Sequence, residues 1–498
     1  MDDAVILGAA VGVMLWFVGA EIRIAGVIGF PLDDSWIHLR FADNLARGRG
    51  FGINPGEPVA GSTAPLWTLL LAGARVLGAP GLLAGKVLGL AGYVVTALLV
   101  RRLALALGHS RGFALAGGLA AVGLGRLAWG ALSGMEVPLA AALVAGALLL
   151  ATSGYPIRAA TAFGLATLAR PEASLLVVLH VAEARALGPA AARACVAALV
   201  LAPALAFNLA TVGRLIPATA AAKVEGGLLG YLEGTPNAWG EAGHRLGEYA
   251  REWGALLAAD HPALPALAGA GLVLVRGAGL GWTPAALVLH PLAMALLAPY
   301  RGPAFQTGRY STHLLPLTIV LALAAAARLR GGSAWRRRFA GLMAAGFGAS
   351  LLVGLGPASR DYAWGVQNIN AMQVRLGRWV ADHTPPAARL AVNDIGAISY
   401  FGDRAIVDLM GLATPAILPY RRQGPLGVLH FLERTCPDYL IVFPEWFPEL
   451  AARRDLFRPI ETVRLPRNLV AGAAEMVVYE TGWNRWAPGR TPCTPRLP

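Results

Sequence analysis

Long apolar segments recur along this chain from its start to about residue 356. A bilayer-crossing helix needs about 20 mostly apolar residues, and about 11 segments approach that length. In chain order they are 4–22, 82–100, 112–130, 136–153, 159–169 with its flanks, 173–187, 193–212, 260–276, 281–299, 311–328 and 339–356. Only 14% of the residues are charged, against about a quarter in soluble globular proteins. The sequence therefore predicts a mostly α fold, a polytopic transmembrane helical bundle of about 11 spans in residues 1–356.

The positive charges are placed for membrane topology rather than for nucleic-acid binding. The net charge is +13, which taken alone would suit a nucleic-acid partner. If the N-terminus is cytoplasmic, however, the short cytoplasmic loops are basic, as the positive-inside rule requires. The arginines in those loops are Arg101, Arg102, Arg111, Arg158, Arg185, Arg193, Arg276, Arg328, Arg330, Arg336, Arg337 and Arg338. We therefore expect membrane lipid around the chain and no nucleic-acid partner.

The chain changes character after residue 356. Long apolar runs disappear, and the remaining residues, about 140, are enough for an independent domain. An amphipathic helix is predicted at 363–381, and short buried strands are predicted at 389–393, 405–408, 439–443 and 475–479. An odd number of spans places residues 357–498 on the side opposite the N-terminus. The sequence therefore predicts a soluble extracytoplasmic α/β domain, in which Cys436 and Cys493 are candidates for a disulfide bond.

Two adjacent carboxylates, Asp33 and Asp34, follow the first apolar segment. One interpretation is that Asp33 caps the helix that begins near Ser35. Capping needs only one acid, and a second carboxylate beside it raises the pKa of one of the two unless a cation intervenes. The other interpretation is therefore a catalytic base or a divalent-cation site. The helix that follows places Trp36 and Phe41 where they suit the membrane surface.

Further polar residues fall on the same predicted side of the membrane as the two aspartates. They are Glu136, Arg170, Glu172, Lys223, Arg301, Arg309 and Tyr310. Glu136 suits either a helix N-terminus or a cavity. Arg170 and Glu172 suit either an interfacial turn or an anion clamp in which the glutamate orients the guanidinium. Snorkelling explains each cation singly, but together they predict a positive funnel around two acids. His38 and His290 have no metal-ligand spacing, which favours structural roles.

A longer pattern extends over the first loop, residues 31–67. It consists of Asp33–Leu45, Gly50–Thr63 and Leu66–Trp67. This pattern resembles the first extracytoplasmic loop of GT-C membrane glycosyltransferases, and within them the terminal arabinofuranosyltransferases of mycobacterial cell-wall arabinan and their bacterial relatives. Shorter similar pieces follow in order at Ser133–Glu136, Arg170–Glu172, Pro217–Lys223, Arg309–Tyr310, Asp394–Gly396 and Val407–Leu412.

The resemblance implies sugar transfer on the extracytoplasmic side of a bacterial inner membrane. It implies a polyprenyl-phosphate-linked sugar donor and an envelope glycan, lipid or protein acceptor. Asp33 or Asp34 would be the general base. The donor phosphate and substrate would be held by Glu136, Arg170, Glu172, Lys223, Arg301, Arg309 and Tyr310. We expect an inverting hexosyl- or pentosyltransferase whose cofactor, if it has one, is a divalent cation held by Asp33 and Asp34.

Two other functions suit the same sequence. Charges buried at one end of a helical bundle also suit a transporter or flippase of a lipid-linked sugar. That alternative predicts ionisable residues near the bilayer midplane, and many transporters have inverted repeats, of which this sequence shows none. A non-catalytic scaffold that binds glycan is the third function, and it would leave Asp33 and Asp34 packed away from any cavity.

Overall fold

The computed structural model describes residues 1–224, 232, 237–274, 280–297, 302–330 and 334–487. A helical membrane domain is followed by a small domain built on a five-stranded sheet, in agreement with the predicted fold class. The helices up to the second domain are α1 (Asp2–Ala25), α2 (Asp34–Ala46), α3 (Pro65–Val76), α4 (Gly81–Ala106), α5 (Arg111–Gly123), α6 (Gly125–Leu132), α7 (Val137–Thr152), α8 (Pro156–Ala169), α9 (Ser174–Ala182), α10 (Leu187–Val212), α11 (Ala218–Val224), α12 (Ala238–Asp260), α13 (Leu264–Leu274), α14 (Ala286–Leu297), α15 (Leu315–Arg330) and α16 (Ala334–Ile369). The helices of the second domain are α17 (Arg375–His383), α18 (Gly396–Gly402), α19 (Leu418–Arg421), α20 (Gly424–Thr435) and α21 (Pro448–Ala452).

Four of the described helical segments are long and apolar enough to cross a bilayer. They are α1, α4, α10 and Phe305–Arg328. Two bent pairs meet the same criterion, α5 with α6 at 56° and α12 with Leu264–Val273 at 111°. The chain is thus a multi-pass membrane protein, but the predicted number of about 11 spans is not confirmed within the described ranges. Other predicted spans fall on shorter apolar helices. The 16 residues of α7, for example, extend only about 24 Å, less than the bilayer core.

The two ends of the membrane domain carry different charged groups. At the start of α1, Asp2 pairs with Arg101 at 2.9 Å and with Arg111 at 2.7 Å. The first loop leaves the opposite end of α1, a helix of 24 residues. Because each helical residue adds 1.5 Å, these ends lie about 36 Å apart. Asp33 and Asp34 of the first loop are therefore remote from Arg101 and Arg111, which we call the Arg101 cluster.

A buried ion pair joins three membrane helices next to the first loop. Lys86 of α4 donates to both carboxylate oxygens of Glu21 in α1, at 2.9 and 3.1 Å, and to the hydroxyl of Tyr362 in α16 at 2.6 Å. Glu21 is completely buried and also accepts the N–H of Gly29 at 2.8 Å. A carboxylate at such a place needs a cation beside it. The pair therefore fixes where the chain leaves α1 and the first loop begins.

The second domain is built on a mixed sheet with the strand order β2-β1-β3-β5-β4. Its strands are β1 (Arg389–Val392), β2 (Ala405–Asp408), β3 (Tyr439–Val442), β4 (Phe457–Arg464) and β5 (Glu475–Thr481). β1 is parallel to β2 and β3, whereas β5 is antiparallel to β3 and β4. The four predicted strands are confirmed. The sequence does not predict β4, because this edge strand is largely exposed, contains Pro459 and so lacks an apolar run.

One continuous helical path connects the two domains. α16 is 36 residues long and passes through a π turn at Asn370–Val374 directly into α17. The predicted helix at 363–381 is the end of this path, and the predicted domain boundary at residue 356 falls inside α16. A π turn shifts the side chains that follow it and is common at functional sites. Here it lies beside the first loop, where Gln373 donates a hydrogen bond to Asp394 at 2.6 Å.

The first loop lies between the two domains rather than on the membrane surface. Residues 35–44 of α2 are all buried. Trp36 packs against Tyr400 and Phe401 of α18, and Phe41 belongs to the hydrophobic core of the second domain. The expectation that this helix rests in the membrane interface is therefore wrong, because the second domain covers it.

Candidate active site

A cavity of about 380 Å³ lies where the first loop, the membrane helices and the second domain meet. Its volume is within the range of about 300–1,000 Å³ that is usual for ligand sites. Six of the nine predicted site residues line it: Asp34, Glu136, Arg170, Glu172, Arg309 and Tyr310. The structure therefore brings these six residues together, and their roles stay predictions.

Asp34 forms an ion pair with Arg309 inside this cavity. The Asp34 side chain, in the first turn of α2, is 30% exposed, whereas that of Arg309 is only 3% exposed. Arg309 follows Gln306, Thr307 and Gly308, whose φ angles are 49°, 62° and 64°. A left-handed backbone is costly for a β-branched residue such as threonine and tends to occur at functional sites. This turn, residues 306–308, directs the Arg309 guanidinium to Asp34.

Arg126 of α6 holds the 306–308 turn in place through hydrogen bonds. Its buried guanidinium pairs with Asp260 at the end of α12. It also donates to the carbonyl oxygen of Gly308 at 3.2 Å and to the hydroxyl of Ser311 at 2.9 Å. Hydrogen bonds on both sides of Arg309 therefore restrict the backbone that carries it. The role of Arg126 is not predicted from the sequence, because Arg126 lies inside the predicted span 112–130.

Arg170 is paired with two glutamates. Its Nη1 donates to Glu136, and its Nε lies 3.3 Å from a carboxylate oxygen of Glu172. The guanidinium carbons of Arg170 and Arg309 lie 4.9 and 5.2 Å from the centre of the Tyr310 ring, which is cation–π geometry. The two arginines thus contact the same tyrosine and reach the same cavity. This arrangement suits a clamp for phosphate oxygens.

The described lining carries more negative charge than the positive funnel around two acids that the sequence predicts. It contains the three carboxylates of Asp34, Glu136 and Glu172 beside two guanidinium groups. Lys223 lies in α11, but its side chain is outside the described part of the structure. Arg301 lies outside the described residues altogether. Their predicted roles as phosphate ligands stay predictions.

His38, for which the sequence favours a structural role, also lines the cavity. It follows Asp34 by four residues and so lies on the same face of α2. Its Nδ1 lies 3.1 Å from the hydroxyl of Thr68 and 3.3 Å from that of Ser62, and its Nε2 lies 3.6 Å from Glu136. The sequence does carry a signal for His38. It lies four residues after a catalytic candidate, Asp34, on a predicted helix.

Asp33 points away from the cavity, into the contact with the second domain. Its carboxylate accepts the backbone N–H groups of Gly396 at 2.6 Å and Ala397 at 2.7 Å and hydrogen-bonds Asp394. The side chain does not cap α2, so the capping interpretation is wrong. Asp33 and Asp34 thus have separate surroundings, and their predicted role as ligands of a divalent cation stays a prediction. Among the described residues, no group of three or more His, Cys, Asp or Glu has metal-binding geometry.

The second domain supplies Leu412 to the cavity wall. Leu412 lies in a turn after β2, where the carboxylate of Asp408 accepts the N–H groups of Met410 and Ala413 at 2.8 and 2.7 Å. A Cβ atom at Gly61 of the first loop would lie 2.9 Å from the Leu412 carbonyl oxygen. The absence of a side chain at Gly61 therefore allows this turn to reach the cavity.

Comparisons with solved structures identify the fold. An Archaeoglobus fulgidus oligosaccharyltransferase, tethered with an acceptor peptide containing the NVT sequon, matches with a TM-score of 0.57 and 14% identity over 94% of this chain and 74% of that chain. ArnT from Cupriavidus metallidurans matches in the apo state with a TM-score of 0.52 and 13% identity over 96% of this chain and 97% of that chain. ArnT bound to undecaprenyl phosphate matches with a TM-score of 0.53 and 12% identity over the same shares. The chain has the GT-C fold.

The GT-C fold confirms the fold that the resemblance of the first loop implies. A family model described as "Domain of unknown function (DUF8728)" matches residues 367–487, which correspond closely to the second domain. No curated protein matches the chain. At 12–14% identity, the similarity to these structures defines the GT-C architecture alone. The chemistry of the chain therefore depends on the residues of the cavity and not on the fold.

Proposed function

We propose that this chain is an integral membrane glycosyltransferase. It transfers a sugar from a polyprenyl-phosphate donor to an envelope glycan, lipid or protein. The observation that carries the proposal is the cavity in which the carboxylate of Asp34 meets the guanidinium groups of Arg309 and Arg170. The undecaprenyl phosphate bound by ArnT and the peptide tethered to the oligosaccharyltransferase support a lipid-linked donor and a separate acceptor.

The transfer step needs a base for the acceptor and a hold on the leaving phosphate. Asp34 takes the proton from the acceptor hydroxyl while the hydroxyl oxygen attacks the anomeric carbon. The bond between that carbon and the donor phosphate oxygen breaks, and the phosphate leaves with the electron pair. Attack opposite the leaving group inverts the anomeric carbon. Arg309 and Arg170 stabilise the negative charge that develops on the phosphate.

The arginines keep donor capacity for this role. Arg309 binds Asp34 through Nη2, and its buried Nε makes no hydrogen bond within the described structure. Glu136 and Glu172 orient Arg170 rather than contacting substrate. Lys223 and Arg301 are proposed as additional phosphate ligands, in keeping with the sequence-based expectation.

The proposed reaction takes place on the extracytoplasmic side of a bacterial inner membrane. The Arg101 cluster at the far end of α1 supports this orientation through the positive-inside rule. With about 11 spans, the second domain faces the same side as the cavity. Leu412, supplied by that domain, then forms part of the substrate wall.

The test uses the full chain purified into proteoliposomes with a polyprenyl-phosphate sugar whose sugar carries a label. We expect label to appear on an added envelope acceptor in the same amount as polyprenyl phosphate is released. Movement of the intact donor across the bilayer without sugar transfer would contradict the proposal and indicate a flippase. Mass spectrometry of envelope glycans from cells with and without the chain would then name the sugar.

The oxidation state of Cys436 tests the proposed orientation. Cys436, directly after α20, is disulfide-bonded, whereas Cys195 is free; Cys493, its predicted partner, lies outside the described residues. Disulfides persist in oxidising compartments. Among the three cysteines of the chain, we therefore expect one to react with maleimide in denatured membranes before reduction and all three afterwards. Three reactive thiols without reduction would place the second domain in the cytoplasm.

A further inference from the structure

Asp33 lies where the first loop meets the second domain, and the proposed transfer step does not use it. We propose that Asp33 is a positioning residue which, with Asp394, forms a carboxyl joint that holds Asp34 in the cavity. The expected effect on catalysis rests on the proposed function. The joint itself does not, because it is a contact between the first loop and the second domain.

The joint is buried and closely fitted. Asp33 is 6% exposed, and its two carboxylate oxygens accept the N–H groups of Gly396 and Ala397 separately. These are the first two residues of α18, whose N–H groups have no partner within the helix. A Cβ atom at residue 396 would lie 2.7 Å from the Asp33 carboxylate carbon. Glycine at this position is what lets the carboxylate approach.

Asp394 completes the joint from the second domain. It hydrogen-bonds Asp33 and accepts a hydrogen bond from Gln373 in the π turn. Burial and the facing Asp394 raise the pKa of Asp33 well above its ordinary value, and burial raises the pKa of Asp394 to about 6. Two carboxyl groups in contact do not ionise independently, because a charge on one disfavours ionisation of the other.

The joint controls Asp34 because the two residues are adjacent at the start of α2. The backbone oxygen of Asp33 accepts the N–H of Trp36 at 2.9 Å and so begins the helix. Its side chain, at the same time, is bound to α18. The first turn of α2, which carries Asp34, is thus fixed relative to the second domain. Displacement of a reacting group by about 1 Å can cost 10²-fold in rate.

Four substitutions separate positioning from catalysis. Asp33→Ala and Asp394→Ala should each lower kcat by about 10- to 100-fold with little change in KM for the donor. Asp33→Asn should lose about tenfold or less, because an amide oxygen still accepts one N–H. Asp394→Asn should keep near-normal activity, because the side-chain amide can donate to the Asp33 carboxylate while its oxygen still accepts from Gln373. A loss in Asp33→Asn as large as in Asp34→Asn would overturn the proposal and make Asp33 the base.

Hydrogen exchange gives a second measurement that does not depend on sugar transfer. The amide protons of Gly396 and Ala397 should exchange faster in Asp33→Ala than in the unmodified chain, and at the normal rate in Asp34→Asn. Unchanged exchange in Asp33→Ala would overturn the joint even if the chain proves to be a glycosyltransferase. Faster exchange in a chain that transfers no sugar would remove the proposed function and support the joint as a contact between domains.

Discussion

Replacing Asp34 with asparagine is expected to lower the rate of sugar transfer by about 10²–10⁴-fold, the contribution of a positioned general base. Asparagine keeps the size of the side chain and an oxygen that can accept a hydrogen bond from Arg309, but it cannot take the acceptor proton. Because Asp34 is partly exposed in the cavity, its replacement should not disturb packing. We expect kcat to fall and KM for the donor to change little, measured with a labelled donor in proteoliposomes.

Asp403→Asn is the matched control for this substitution. Asp403 pairs with Arg40 of the same helix α2 at 2.7 Å, and its side chain is 58% exposed, away from the cavity lining. Arg40 is buried, but the amide oxygen of asparagine can still accept its hydrogen bond, so this variant should keep transfer within about twofold of the unmodified chain. If Asp34→Asn retained more than about a tenth of the normal rate, the carboxylate would not be the base.

The grouping of site residues was predictable because helix ends on one side of a membrane meet. Glu136, Arg170 and Arg309 each lie beside an apolar segment, and the distribution of arginines assigns all three to one side. A bundle brings such ends together whatever the order of its helices. Their meeting in one cavity therefore follows from topology, without knowledge of side-chain packing.

The different roles of Asp33 and Asp34 could not be predicted in the same way. The two residues are chemically identical neighbours, and their surroundings differ because α18 lies beside Asp33 and Arg309 beside Asp34. Leu412 reaches the cavity for a similar reason, through contacts between parts of the chain far apart in sequence. The number of spans is also hidden, because hydropathy measures composition and not the length over which a segment is helical. Such features depend on tertiary packing that local patterns do not encode.

Replacing Lys86 with methionine is expected to destabilise the membrane domain by about 3–5 kcal/mol, the usual cost of leaving one partner of a buried ion pair uncompensated. The Lys86 side chain is 12% exposed and that of Glu21 is fully buried. Methionine fills much of the lysine volume, so the loss should reflect the uncompensated charge rather than a cavity. The free energy of unfolding can be measured by denaturant titration in mixed micelles.

The double variant Glu21→Gln, Lys86→Met provides the control. It removes both charges, and glutamine can still accept the N–H of Gly29 as Glu21 does. Because the double variant leaves no unpaired charge, we expect it to recover most of the stability that the single variant loses. Equal losses in the single and double variants would show that Lys86 acts through packing and its hydrogen bond to Tyr362. Recovery would show that the charge of Glu21 is tolerated where α1 leads into the first loop only because Lys86 lies beside it.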